Sequence, residues 1–239
     1  MLRHLLNQHV AIACAGELIA NDVGTIFPPS RVYRLLPFKS ALIRSVFFKR
    51  ARINAYLKVK RTEPIVGFKV LYEQVPPALL GTLEKRVDRF ILILRRDRIR
   101  RTLSLLKARK TNQWNLLKEK ATAPLKDAPF NMDVSSLIYE VELSEKCDTA
   151  WITRLQTLGA RGLTITYENL VRNREGVVAD VLAFLGLRAS AASMLVPKTL
   201  RMTSPAPLSE LIVNYSELLK STAGTRIERM LIESEWPLD

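Results

Sequence analysis

Apolar and polar positions along this chain form two kinds of block: short continuous apolar runs, and longer stretches whose apolar residues recur at helical spacing. Phe90–Leu94 (FILIL) has the length and isoleucine content of a buried parallel strand. Arg95, Arg96 and Asp97 break that run, and Ile99, Leu103 and Leu106 then recur as on one face of a helix. A second unit of this kind spans residues 162–187. There Leu163, Ile165 and Tyr167 alternate as on a strand, and Val177, Val178, Val181, Leu182, Phe184 and Leu185 follow as on a helix stopped at Gly186. Residues 65–74 (IVGFKVLYEQ) read as another core strand, with Lys69 toward its carboxyl end. Residues 131–158 read as mainly helical, with Val134, Leu137, Ile138 and Val141 on one face and Trp151 and Leu155 on a later one. A last helix carries Leu208, Leu211, Ile212, Tyr215, Leu218 and Leu219. Strands alternating with helices predict an α/β domain, a parallel sheet with helices on both faces.

In an open α/β sheet the carboxyl ends of the strands face the ligand crevice, which puts Arg96 where a phosphate would sit. Ser104 lies about two helical turns further on and offers a hydroxyl to the same anion. On these residues alone, a helix start with a solvated basic face is an equally open reading.

The flanks narrow it. Arg95-Arg96-Asp97, then Leu103-Ser104-Leu105 and Gln113-Trp114, resemble the 3′-phosphate segment of sulfotransferases that use 3′-phosphoadenosine 5′-phosphosulfate (PAPS). The match is to their bacterial carbohydrate branch, which includes the trehalose and nodulation-factor sulfotransferases. Residues 162–187 resemble the same family's "YEDL … FLGL" segment, with Asn169 where aspartate is usual. The resemblance implies that Arg96 and Ser104 hold the 3′-phosphate and that Tyr167 approaches adenine, a role suited to an aromatic face that can stack on a purine. It implies that Lys69 offsets charge on the leaving side. Residues 2–17 resemble the helix and following loop that come directly after the family's 5′-phosphosulfate loop, and Glu17 then matches the glutamate that takes the proton from the acceptor hydroxyl.

Relatives begin earlier, with a strand and a Ser/Thr/Gly loop whose backbone N–H groups hold the phosphosulfate. The expected architecture is therefore a P-loop-type parallel sheet flanked by helices, with the first strand and the phosphosulfate loop missing, over a single N-terminally truncated domain, residues 1–239. The implied reaction is sulfuryl transfer from PAPS to a hydroxyl of a carbohydrate or glycolipid acceptor, without a metal. Two alternatives stand beside it: a non-catalytic remnant that binds PAPS or its product 3′-phosphoadenosine 5′-phosphate (PAP), and a basic polyanion- or membrane-surface-binding protein.

Composition fits one globular domain: 239 residues, 48% of them hydrophobic, with no low-complexity linker. Asn7, Gln8 and His9 interrupt the apolar start, so a secretory signal is not expected, and no run approaches the length of a membrane span. Two cysteines and two histidines suggest neither a zinc cluster nor a disulfide scaffold, and a soluble, cytoplasmic protein is expected. The net charge of +14 is regional. Residues 31–61 hold ten Lys/Arg and no Asp/Glu, and residues 85–110 hold eleven Lys/Arg against Asp88 and Asp97. The second window flanks the 3′-phosphate site, as an anionic donor favours. The first suits an acceptor pocket, an anionic membrane surface or a solvated basic face. No nucleic-acid-binding motif is present, and no nucleic-acid partner is expected. Oligomeric state is not legible in the sequence.

Overall fold

The computed structural model describes residues 2–7, 9–17, 49–51, 53–54, 56, 64–71, 75, 77–111, 129–188 and 206–235. Gln113, Trp114, Lys198, Arg201 and most of the basic window 31–61 lie outside them. The elements in chain order are α1 (Leu2–Leu6), β1 (Ile12–Glu17), β2 (Ile65–Lys69), α2 (Pro77–Arg86), β3 (Phe90–Leu94), α3 (Arg98–Thr111), α4 (Val134–Leu158), β4 (Gly162–Thr166), α5 (Tyr167–Arg172), α6 (Arg174–Phe184), α7 (Leu208–Leu211), α8 (Tyr215–Ser221) and α9 (Arg226–Glu233). The chain is mixed α/β, with small sheets flanked by helices and two compact units: residues 1–90 with 185–196, and residues 91–184 with 197–239.

In the first unit β1 and β2 pair in parallel, from Ile12 beside Ile65 to Glu17 beside Lys69, with an irregularity between Ala15 and Glu17. Residues 12–17 are thus a strand and not the loop expected after α1. Its residues, Ile-Ala-Cys-Ala-Gly-Glu, carry too little bulk to read as a strand. The backbone nevertheless finds partners on both edges: β2 on one side and, on the other, Asn7, whose side-chain amide donates to the Cys14 carbonyl (2.8 Å) and accepts from the Cys14 N–H (2.6 Å). The Tyr56 hydroxyl reaches the carbonyls of Ala13 (3.2 Å) and Gly67 (3.1 Å), one on each strand, and burial raises its pKa. Its ring meets Phe68 edge-on, within a core of Ile53, Leu79 and Leu83. β2 ends at Lys69, shorter than the predicted 65–74.

In the second unit β3 pairs with β4. Asp133 starts α4 by accepting from the Ser136 N–H (2.7 Å), which satisfies an otherwise orphaned donor, and Gly159 ends it with φ 54°. Leu137 and Val141 of α4 pack with Ile99 and Leu103 of α3 and with Leu208, Leu211, Ile212, Leu218, Ile227 and Leu231 near the carboxyl terminus. These are the apolar positions that helical spacing singled out, joined by α9. Tyr167 departs from expectation. Alternation carried the strand through it, whereas β4 stops at Thr166, whose hydroxyl accepts from the Asn169 N–H (3.1 Å) and starts α5 at Tyr167. A threonine suits either the end of a strand or a helix cap, and here capping decides. The helix α6 buries Val177, Val178, Val181 and Leu182, and Gly186 beyond its end takes φ 76°, a conformation that glycine adopts without strain.

Candidate active site

Two groups of predicted site residues occupy the carboxyl ends of the paired strands. In the first unit Glu17 and Lys69 are the last residues of β1 and β2 and partners in register, so a carboxylate-bearing and an ammonium-bearing residue close adjacent parallel strands. Lys69 is exposed. The irregularity just before Glu17 is of the kind that re-aims a strand end beside a reaction site.

In the second unit the residues that follow β3 meet those that follow β4. The Arg95 guanidinium lies 4.8 Å above the centre of the Tyr167 ring, a cation–π contact worth about 0.5–2 kcal/mol depending on burial. The Asp97 N–H donates to Glu168 Oε1 (3.2 Å). Glu168 Oε2 is buried and accepts no hydrogen bond among the described residues, so Arg95 supplies its nearby compensating charge. Burial pushes the Arg95 guanidinium below its ordinary pKa, and Tyr167, Asp97 and Glu168 oppose that shift. Arg95, which sequence reasoning treated as part of a basic turn, therefore stacks on the tyrosine ring.

Asp97 and Arg100 hold this turn rigid. Asp97 accepts from the Arg100 N–H at the start of α3 (2.9 Å), and its other oxygen lies 3.4 Å from Arg100 Nε, both side chains being almost fully buried. The Arg100 guanidinium also donates to the carbonyls of Ala206 (2.9 Å), Ser234 (3.2 Å) and Glu235 (2.8 Å). With the buried pair fixing the residues that follow it, Arg96 is left exposed at the turn. It lines a cavity of about 310 Å³ with Arg98, Glu145, Arg226, Arg229 and Glu233. Ser104 is half-buried on α3 and is not among the residues lining that cavity.

Among the described residues there is no cluster of histidine, cysteine and carboxylate side chains that would hold a metal ion, and no helix is long and apolar enough to cross a membrane.

Glu17 and Lys69 thus close the paired strands of the first unit, and the basic turn follows β3 in the second. The family model described as Stf0 sulphotransferase matches residues 47–210, and the chain belongs to that family, whose reaction is sulfuryl transfer. Lys69, Arg96, Ser104 and Tyr167 fall inside the match, and Glu17 precedes it. The chain is similar to Nodulation protein H of Rhizobium meliloti strain 1021, with 27% identity over 220 residues that cover 91% of this chain and 83% of the relative. A Nodulation protein H from Rhizobium meliloti gives the same identity and coverage.

Proposed function

We propose that residues 1–239 act as one catalytic domain that transfers a sulfuryl group from PAPS to a hydroxyl of a carbohydrate or glycolipid acceptor. The observation that carries this reading is the meeting of the two family segments at the ends of β3 and β4. There the Arg95–Tyr167 and Asp97–Glu168 contacts set the aromatic ring beside a turn from which Arg96 is exposed. In the proposed binding mode Arg96 pairs with the 3′-phosphate, Ser104 donates to it, and adenine stacks on the face of Tyr167 opposite Arg95. The acceptor oxygen attacks sulfur in line, its proton passes to Glu17, and the bond from sulfur to the 5′-phosphate oxygen breaks, releasing PAP. Lys69 offsets the charge that develops on that leaving oxygen. The basic window 31–61 would supply cations to an acidic acceptor or to the head groups of a membrane that presents one.

The nucleotide assignment is tested by calorimetry. Arg96→Ala is expected to weaken PAP binding by about 1.5–3 kcal/mol, and Ser104→Ala by less, because a charge-assisted bond is lost in the first case and a neutral one in the second. Adenosine 5′-phosphate (AMP) is expected to bind weakly to all three proteins. Equal PAP affinities in wild type and Arg96→Ala would remove Arg96 from the site. Transfer of labelled sulfate from PAPS to trehalose and other short oligosaccharides tests the reaction. Tight PAP binding without transfer to any of them would favour the binding-only alternative.

A further inference from the structure

Two arginines adjacent in sequence leave β3 for opposite surroundings. Arg96 is exposed, whereas Arg95 lies against the first residue of α5, its guanidinium 4.8 Å from the centre of the Tyr167 ring. A cation so placed covers one face of the ring. Tyr167 is only half-buried, so the residue still presents surface to a ligand.

Burial makes this an expensive place for a charge, and Tyr167, Asp97 and Glu168 favour the charged guanidinium while Arg101 opposes it. Glu168 is the member tied most directly to the turn. It follows Tyr167 on α5, and its Oε1 accepts from the Asp97 N–H (3.2 Å), while its Oε2 is buried with no hydrogen-bond partner among the described residues. A buried carboxylate oxygen without a donor depends on a neighbouring cation. The ring and the carboxylate are thus consecutive residues at one helix start, which the Thr166 hydroxyl caps, and they engage residues 95 and 97 of one turn. A ring already held on one face loses little side-chain freedom when a base settles on the other. A cation behind the ring also lowers the electron density that the ring presents in front, which favours contact with an electron-rich purine.

We infer that Arg95 is a base-selecting residue: it occupies one face of Tyr167, is held there by Glu168, and so prepares the other face for the adenine of the donor nucleotide without touching either phosphate. The inference rests on the adenine role proposed for Tyr167, and goes beyond it by assigning Arg95 to the base and not to an anion. Arg95 is then a positioning residue that acts through the ring.

The experiment compares, by displacement calorimetry, PAP with methyl riboside 3,5-bisphosphate, which keeps both phosphates and lacks the base. Arg95→Met removes the cation and keeps an unbranched side chain at the ring. Because it leaves Glu168 without its compensating charge, it is also made together with Glu168→Gln, which keeps an acceptor for the Asp97 N–H. In either background Arg95→Met should weaken PAP by about fivefold and leave the base-free bisphosphate within about twofold. Arg95→Lys, which keeps a cation, should restore part of the PAP affinity. Tyr167→Leu should weaken PAP by about tenfold, again with little effect on the base-free ligand. Adding Arg95→Met to Tyr167→Leu should cost PAP less than about twofold more, since no ring remains to act through. Equal losses for both ligands in Arg95→Met would make Arg95 a phosphate contact and overturn the inference. PAP affinity unchanged in Arg95→Met but lowered in Tyr167→Leu would overturn the inference alone and leave the adenine reading standing. PAP affinity unchanged in Tyr167→Leu, or failure of wild type to bind PAP, would defeat the adenine reading and the inference with it.

Discussion

Glu17→Gln is expected to lower kcat for sulfuryl transfer by about 10²–10⁴-fold while leaving PAP affinity nearly unchanged, the signature of a lost general base. Glutamine keeps the length and hydrogen-bonding capacity of the side chain but cannot take a proton. The position suits such a role: Glu17 ends β1 in register with Lys69 at the end of β2, so a carboxylate-bearing and an ammonium-bearing residue end neighbouring strands. The expected separation of kcat from affinity follows from the proposed role, since Glu17 acts on the acceptor hydroxyl and not on the nucleotide. Single-turnover rates with PAPS and an accepted oligosaccharide, set beside PAP calorimetry, measure both quantities. A rate loss of less than about tenfold would make Glu17 a strand-end residue and place the base elsewhere.

The second large effect is on stability. Asp97→Ala should destabilise the protein by about 3–5 kcal/mol, read from the midpoint of urea unfolding, because it leaves the buried Arg100 guanidinium without its carboxylate. Asp97 is 8% exposed and Arg100 5%, so water cannot take the place of the missing charge. The substitution also removes the acceptor for the Arg100 N–H at the start of α3, a cap worth about 1 kcal/mol. Burial already lowers the Arg100 pKa, with Asp97 the largest influence opposing it. Asp97→Asn keeps a capping oxygen and loses the charge, so its cost should fall between wild type and Asp97→Ala. A change below about 1 kcal/mol for Asp97→Ala would mean that the three carbonyls alone suffice for Arg100.

What could be read in the sequence follows from how strongly each segment is driven by burial. Phe90–Leu94 is uniformly apolar, and the strand has those bounds. α4 combines a capping aspartate with a long apolar face, and both signals are local. β1 escaped notice because its small residues gain most of their order from partners far along the chain, β2 and Tyr56, which no local pattern records. Tyr167 continued a two-residue alternation, and only the Thr166 side chain on the Asn169 N–H shows that the backbone has already turned. Residue types and spacing singled out Arg96, Ser104 and Tyr167 as candidates, but not how the turn around them is built. In the run RRDRIRR each arginine has the same charge, yet Arg95 stacks on a ring, Arg96 is exposed and Arg100 is buried. The difference arises from the faces that β3 and α3 turn inward, with Arg100 on the side of Ile99 and Leu103.

The reach of Arg100 also bears on the order in which the protein takes shape during synthesis. Its guanidinium gathers carbonyls 106, 134 and 135 residues further along the chain. Until residue 235 has left the ribosome, the first turn of α3 holds a cation whose final acceptors do not yet exist, and the site turn ahead of it lacks its anchor. Domains tend to acquire structure from the amino-terminal side as they are made, and closing so long a loop is slow. The turn that follows β3 is thus among the last parts of its unit to lock, although it is encoded before the middle of the chain.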